Sequence, residues 1–200
     1  MKKKKKEEPL PQFDGYEPEL KTIGMLAANL WAVLLMVVAI VVGWFALTRL
    51  YPSFSFDMDD PMLMAKNSMW FCILMLLGIV VHELVHGFTW LLLLHKGFSH
   101  LSFGLMAGGG FYCHIDVPMA KKPYVISALM PLLLVGLVPW VTGIVTGSLL
   151  WMLVGGIYIG AATGDLMIVK AIHNEPADTL IYDHPSEAGC YVYHKTTNQL

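Results

Sequence analysis

The sequence predicts an all-α membrane protein: four transmembrane helices, both termini cytoplasmic, and a short β-hairpin between spans two and three. Three observations carry that prediction. Hydrophobic residues make up 56% of the 200 positions and charged ones only 14%, against about 25% charged in a soluble domain. The apolar residues, which give a mean hydropathy of +0.59, gather in four blocks, each longer than the roughly 20 residues a bilayer core requires. Lysine and arginine, finally, fall almost entirely on one side of those blocks.

The chain opens with a polar leader, residues 1–22, that begins MKKKKK and contains Pro9, Pro11 and Pro18. Its composition predicts poor order, and its lysines suit either a solvated tail that sets topology or an anionic inner leaflet. The membrane domain follows over 23–172. Its first span, about 23–48, has no small-residue cleavage site and is too long for a signal-peptide core, so it reads as a retained helix. A short acidic loop with Asp57, Asp59 and Asp60 leads to the second span, about 69–94, which holds His82, Glu83 and His86 in an otherwise apolar run. Spans three and four, about 124–147 and 149–172, meet at Gly147-Ser148 as a tight helical hairpin. Between spans two and three, residues 98–122 read as a β-hairpin around Gly108-Gly109-Gly110. Alternation in its second run sets Phe111, Cys113, Ile115 and Val117 on one face and Tyr112, His114 and Asp116 on the other. Residues 173–200 form a cytoplasmic tail, in which 189–193 look like one strand.

With the N-terminus inside, the inner segments hold eleven Lys/Arg residues and the outer loop two, Arg49 and Lys66. This asymmetry places both termini in the cytoplasm of a multi-pass protein of the cell membrane. The formal net charge of −2 provides no basic field for nucleic acid. Cys72, Cys113 and Cys190 are an odd number at no metal-like spacing, so neither a disulfide framework nor a zinc knuckle is implied. No internal repeat supports an inverted-repeat transporter.

The chemistry concentrates in His82-Glu83-Leu84-Val85-His86. Spacing of i and i+4 puts both imidazoles on one helix face, where they can share a metal ion. Glu83, about 100° round the helix, can reach a metal-bound water as general base. Random placement of eight His and seven Glu gives this motif in about 1% of chains of this length. Two satisfied histidines and a paired glutamate would suit a soluble core, but three ionisable groups at membrane depth are costly and mark function.

A catalytic zinc takes three protein ligands and keeps one position open, and depth selects the third. Counted from the outer ends of their spans at 1.5 Å per residue, His82, His86 and Asp165 lie about 20, 26 and 24 Å down. Gly156, Gly160 and Gly164 form a small-residue stripe beside Asp165 that permits close helix approach, which a short carboxylate needs to reach a metal on the second span. The other reading of Asp165 is a carboxylate paired with Lys170 or lining a polar cavity. His95, His100, Asp116, His173, Asp183, His184 and His194 are expected to be solvated or interfacial. His114, Tyr112 and Thr163 are kept as groups that support the ligands or face substrate.

The HExxH helix, the segment FYCHIDVPMAKKPYVISALMPLLL and the closing ATGDLMIVKAI resemble a bacterial family of multi-pass membrane zincin peptidases and, more distantly, the site-2 protease class of intramembrane metalloproteases. The resemblance covers roughly His82 to Lys170 and a short stretch near Asp183. It implies zinc, one per chain, held by His82, His86 and Asp165, with Glu83 activating water. It also implies a membrane-protein or membrane-peptide substrate presented as an extended strand beside the hairpin. Around Asp165 the chain reads Thr163-Gly164-Asp165-Leu166, without the Asn-Pro and Asp-Gly pattern of site-2 proteases. The expected activity is zinc-dependent hydrolysis of peptide bonds in membrane-associated substrates. A non-catalytic metal-binding membrane protein or scaffold is the alternative. A membrane di-iron oxygenase comes next, since His82, His86, His95 and His100 imitate two histidine boxes, although no HxxHH box exists. Oligomeric state stays open.

Overall fold

The computed structural model describes residues 10–54, 60–105, 111–185 and 187–196; the lysine run 2–6 and the glycines 108–110 lie outside them. Among the described residues four helical stretches are long and apolar enough to cross a membrane: Met25–Leu50, Pro61–Leu94, Lys121–Thr146 and Leu149–Ala171. The first is α1 and the second α2. The third comprises α3 (Lys121–Pro131), a wide π-type turn (Leu132–Leu137) and α4 (Val138–Thr146), and the fourth comprises α5 (Leu149–Ala161) and α6 (Thr163–Ala171). Large apolar side chains stay exposed on these helices, among them Leu26, Leu30, Val41, Leu76 and Leu92, which water penalises and lipid accepts.

Helix α2 starts eight residues before the apolar block does. Asp60 caps it, its carboxylate accepting from the Met62 and Leu63 amides at 2.9 and 3.1 Å. Pro61 fills the first helical position, where a missing N–H costs nothing. Its 34 residues span about 51 Å, more than the roughly 30 Å hydrocarbon core, so hydropathy alone marked only the part lipid would cover. The wide turn in the third span follows Pro131, which has no N–H to continue the helical ladder. The fourth span breaks at Ala162, between α5 and α6.

The glycine stripe has a different role from the predicted one. A Cβ at Gly160 would lie 2.7 Å from the Ala32 carbonyl oxygen, and one at Gly156 would lie 3.2 Å from Ile40. Both residues therefore seat α5 on α1, not on the HExxH helix. Close approach of α2 to α5 depends instead on Gly78, over which the Tyr158 ring lies and donates its hydroxyl to the Met75 carbonyl.

The protein is less purely helical than predicted. Strands β2 (Leu101–Leu105) and β3 (Phe111–Ile115) pair antiparallel from Leu101↔Ile115 to Leu105↔Phe111. A second sheet, in the order β1-β6-β5-β4, joins β1 (Tyr16–Thr22), β4 (Met119–Ala120), β5 (Leu180–Asp183) and β6 (Gly189–Lys195). Residues 16–22, expected to be poorly ordered, pair with β6 from Tyr16↔Lys195 to Thr22↔Gly189, because the strand-rich end of the chain offers them an edge that composition could not reveal. Residues 119–120, assigned to the hairpin by the sequence, pair with β5 instead. The larger sheet closes over the ends of α2 and α3 around Ile115, Met119, Tyr124, Ile181, Cys190 and Val192. It thereby covers the end of the bundle where α2 and α6 carry the HExxH motif and Asp165.

Candidate metal centre

One turn of α2 brings the His82 and His86 rings edge to face, with centroids 5.0 Å apart. Asp165, in the first turn of α6, meets both: Oδ2 lies 3.2 Å from His82 Nε2 and Oδ1 lies 3.3 Å from His86 Nε2. The three residues offer ligand atoms all within 4.8 Å of one another. Zinc bonds of about 2.0–2.2 Å at a tetrahedral angle set neighbouring ligand atoms about 3.4 Å apart, so the two separations suit one ion.

The hydrogen bonding makes the same point chemically. His86 Nδ1 lies 2.9 Å from the Ser127 carbonyl oxygen, which can only accept, so Nδ1 carries the proton. In a neutral imidazole Nε2 then presents a lone pair to a carboxylate oxygen, and two acceptors at 3.3 Å require a cation between them or a protonated ring. The pairing of Asp165 with Lys170, the other reading of this carboxylate, is not what the fold builds: Asp165 faces the histidines.

Glu83 shares a cavity of about 210 Å³ with the three residues, and its carboxylate lies against the backbone amide of Cys113 in β3. Trp90, one turn beyond His86, stacks on that imidazole at 5.8 Å and 24°. It is 4% exposed, and its Nε1–H has no acceptor among the described residues. Tyr124 and Asp183 complete the wall: the Tyr124 hydroxyl donates to Asp183 Oδ1, and His114 Nδ1 meets Asp183 Oδ2, each at 3.1 Å. Burial raises the Asp183 carboxyl above its ordinary range, against the pull of these two partners. Burial, followed by the charges of Glu83 and Asp183, pushes the Cys113 thiol up to about 12.

The supporting residues expected from the sequence divide. Tyr112 lines the cavity. His114 is buried and bound to Asp183, outside the cavity lining, because β3 is covered on both faces over Cys113–Ile115. Thr163 is buried too, its hydroxyl donating to the Gly160 carbonyl at 2.7 Å, so it bridges the α5–α6 break instead of facing substrate. Asp183, expected to be solvated, is the residue sequence reasoning missed. The run Leu180-Ile181-Tyr182 marks a strand, but only the fold shows that its end lies beneath Tyr124. Neither residue that would complete a second histidine box joins the cavity. His95 ends α2 in a left-handed conformation with φ 51, and the half-buried His100 pairs with Asp116 at 2.7 Å.

A second cluster, Glu19, Glu175 and His194, brings three potential ligands together near the surface. Lys21 already occupies it, 2.6 Å from Glu19 and 3.7 Å from Glu175, and holds the Glu19 carboxyl below its ordinary range.

Compared with known proteins, residues 75–180, just over half the chain, match the model of a family described as "Putative zincin peptidase". No curated protein and no solved structure matches the chain.

Proposed function

The chain belongs to that zincin peptidase family, and from this premise we propose that it is a zinc-dependent intramembrane peptidase hydrolysing peptide bonds of membrane-associated substrates. The observation that carries the proposal is the convergence of His82, His86 and Asp165 on one point beside the Glu83 carboxylate. In this reading the first three hold one zinc ion per chain and Glu83 is the catalytic base. Zinc would supply Lewis acidity toward the scissile carbonyl and a water acidified toward neutrality.

The remaining work falls to the chain's own groups. Glu83 takes the proton of the attacking water and returns it to the leaving amine. Its place beside the Cys113 amide keeps the carboxylate near β3, so an extended substrate segment lying along the hairpin would pass in front of the base. Trp90 places an indole N–H without an acceptor among the described residues in the same wall, while the Tyr124 hydroxyl is already committed to Asp183. A helix shields its own peptide bonds, so the substrate must unwind locally before it fits. Lysine asymmetry supports a cell-membrane location with both termini, and the sheet that covers the cavity, on the cytoplasmic side.

The test is Glu83→Gln in protein reconstituted with a membrane-peptide substrate. The expected result is loss of hydrolysis with zinc retained, since Gln removes the base and none of the three ligands. Cleavage at the wild-type rate would refute the assignment. A phenotype lost in His82→Ala but kept in Glu83→Gln would favour a non-catalytic metal-binding protein.

A further inference from the structure

We infer that Pro131 is a positioning residue for the metal centre: by withholding a backbone N–H it frees the Ser127 carbonyl to fix the ring of His86. The inference rests on the reading of His86 as a metal ligand. In a regular helix the carbonyl of Ser127 would accept from the N–H of residue 131, four positions on. Proline has none, and its ring crowds that same carbonyl. The carbonyl thus freed in α3 is the one that His86 Nδ1 meets, at 2.9 Å across the α2–α3 interface. The bond is dry, with Ser127 fully buried and His86 7% exposed. The Ser127 hydroxyl donates back to the His86 carbonyl at 3.5 Å, so the two helices are tied at this one level.

A carbonyl acceptor holds the proton on Nδ1 and leaves Nε2 unprotonated, aimed at Asp165 Oδ1. That tautomer is the one a zinc ligand bonding through Nε2 must have, and partners that hold a ligating imidazole in this way typically contribute 10–100-fold in affinity. The wide turn over Leu132–Leu137 also has a cause here: the helix reorganises after Pro131, while the unpaired carbonyl before it, which lipid depth would penalise heavily, is satisfied by a histidine. The substitution that best suits a helix is thus the one that removes the arrangement, since Pro131→Ala restores an N–H that competes for the Ser127 carbonyl.

The experiment compares wild type, Pro131→Ala and a variant with the α-hydroxy analogue of alanine at position 131, which lacks the proline ring and also lacks the N–H. Zinc affinity is read by chelator competition, and the His86 tautomer in metal-free protein by nitrogen-15 NMR of labelled histidine. Expected are a 10–100-fold weaker zinc affinity and a loss of the Nδ1–H form in Pro131→Ala, with both close to wild type in the ester variant. Unchanged affinity and tautomer in Pro131→Ala would overturn the inference. Equal losses in both variants would also overturn it, because the proline ring and not the missing N–H would then be responsible. A wild-type chain that takes up no zinc would refute the metal reading separately, while a tautomer shift in Pro131→Ala that is absent from the ester variant would still support the positioning role.

Discussion

Replacing Gly78 by alanine places a methyl group where there is no room for one. Its Cβ would lie 2.4 Å from Cζ of Tyr158 and 2.5 Å from both Cε2 and the phenolic oxygen, whereas carbon atoms in contact sit about 3.5–4.0 Å apart. The ring cannot swing clear cheaply: Tyr158 is 2% exposed and its hydroxyl is bound to the Met75 carbonyl. α2 and α5 must therefore separate by about 1 Å, one turn before His82 and two turns before Asp165. A zinc site tolerates distance errors of about 0.2 Å, so the 3.2 and 3.3 Å spacings would be lost. The expected cost is about 1–3 kcal/mol of stability from overpacking and at least about tenfold in zinc affinity. Thermal unfolding of metal-free protein in detergent measures the first and chelator competition the second. Gly164→Ala is the control: it adjoins Asp165, but among the described residues its Cβ would meet only Ile23 Cδ1, at 3.8 Å, and it should leave zinc affinity unchanged. Gly78→Ala with wild-type stability and affinity would refute the reasoning.

Other consequences follow from the cavity wall. Trp90→Phe should leave stability within about 1 kcal/mol of wild type, since it keeps a stacked ring and removes an N–H with no acceptor among the described residues. Tyr124→Phe should cost about 1–3 kcal/mol, because it removes a donor from the buried Asp183 carboxylate; thermal unfolding compares the two, and equal effects would contradict the hydrogen-bond assignments. Cys113 and Cys190, both buried and with thiols pushed up to about 12 chiefly by burial, should resist a water-soluble maleimide at pH 8. They should react once the protein is unfolded in SDS, as mass spectrometry of labelled peptides would show, since the thiolate is the reactive form.

What the sequence disclosed depended on how local the cause was. The HExxH spacing needs only one helix, so His82, Glu83 and His86 were readable at once, and the depth count brought Asp165 to the same level without any knowledge of packing. The glycine stripe beside Asp165 was equally visible, but a stripe does not name its partner helix, and Gly156 and Gly160 face α1. Hydropathy marked the four spans and missed the first eight residues of α2, where an Asp60-Pro61 cap extends the helix beyond the apolar block. The four-stranded sheet was the least legible part, since it pairs residues 16–22 with 189–195, and no short-range pattern reports such a pairing. Asp183 was misjudged for the same reason: an acidic residue in a polar tail gives no sign of the Tyr124 and His114 that lie over it.

The most direct test of the account is the metal content of gently purified, chelator-free protein, measured by elemental mass spectrometry on wild type, His82→Ala and Asp165→Ala. The wild type should carry about one zinc per chain, and both variants should lose it. Zinc retained in Asp165→Ala, or two irons in place of zinc, would contradict the account.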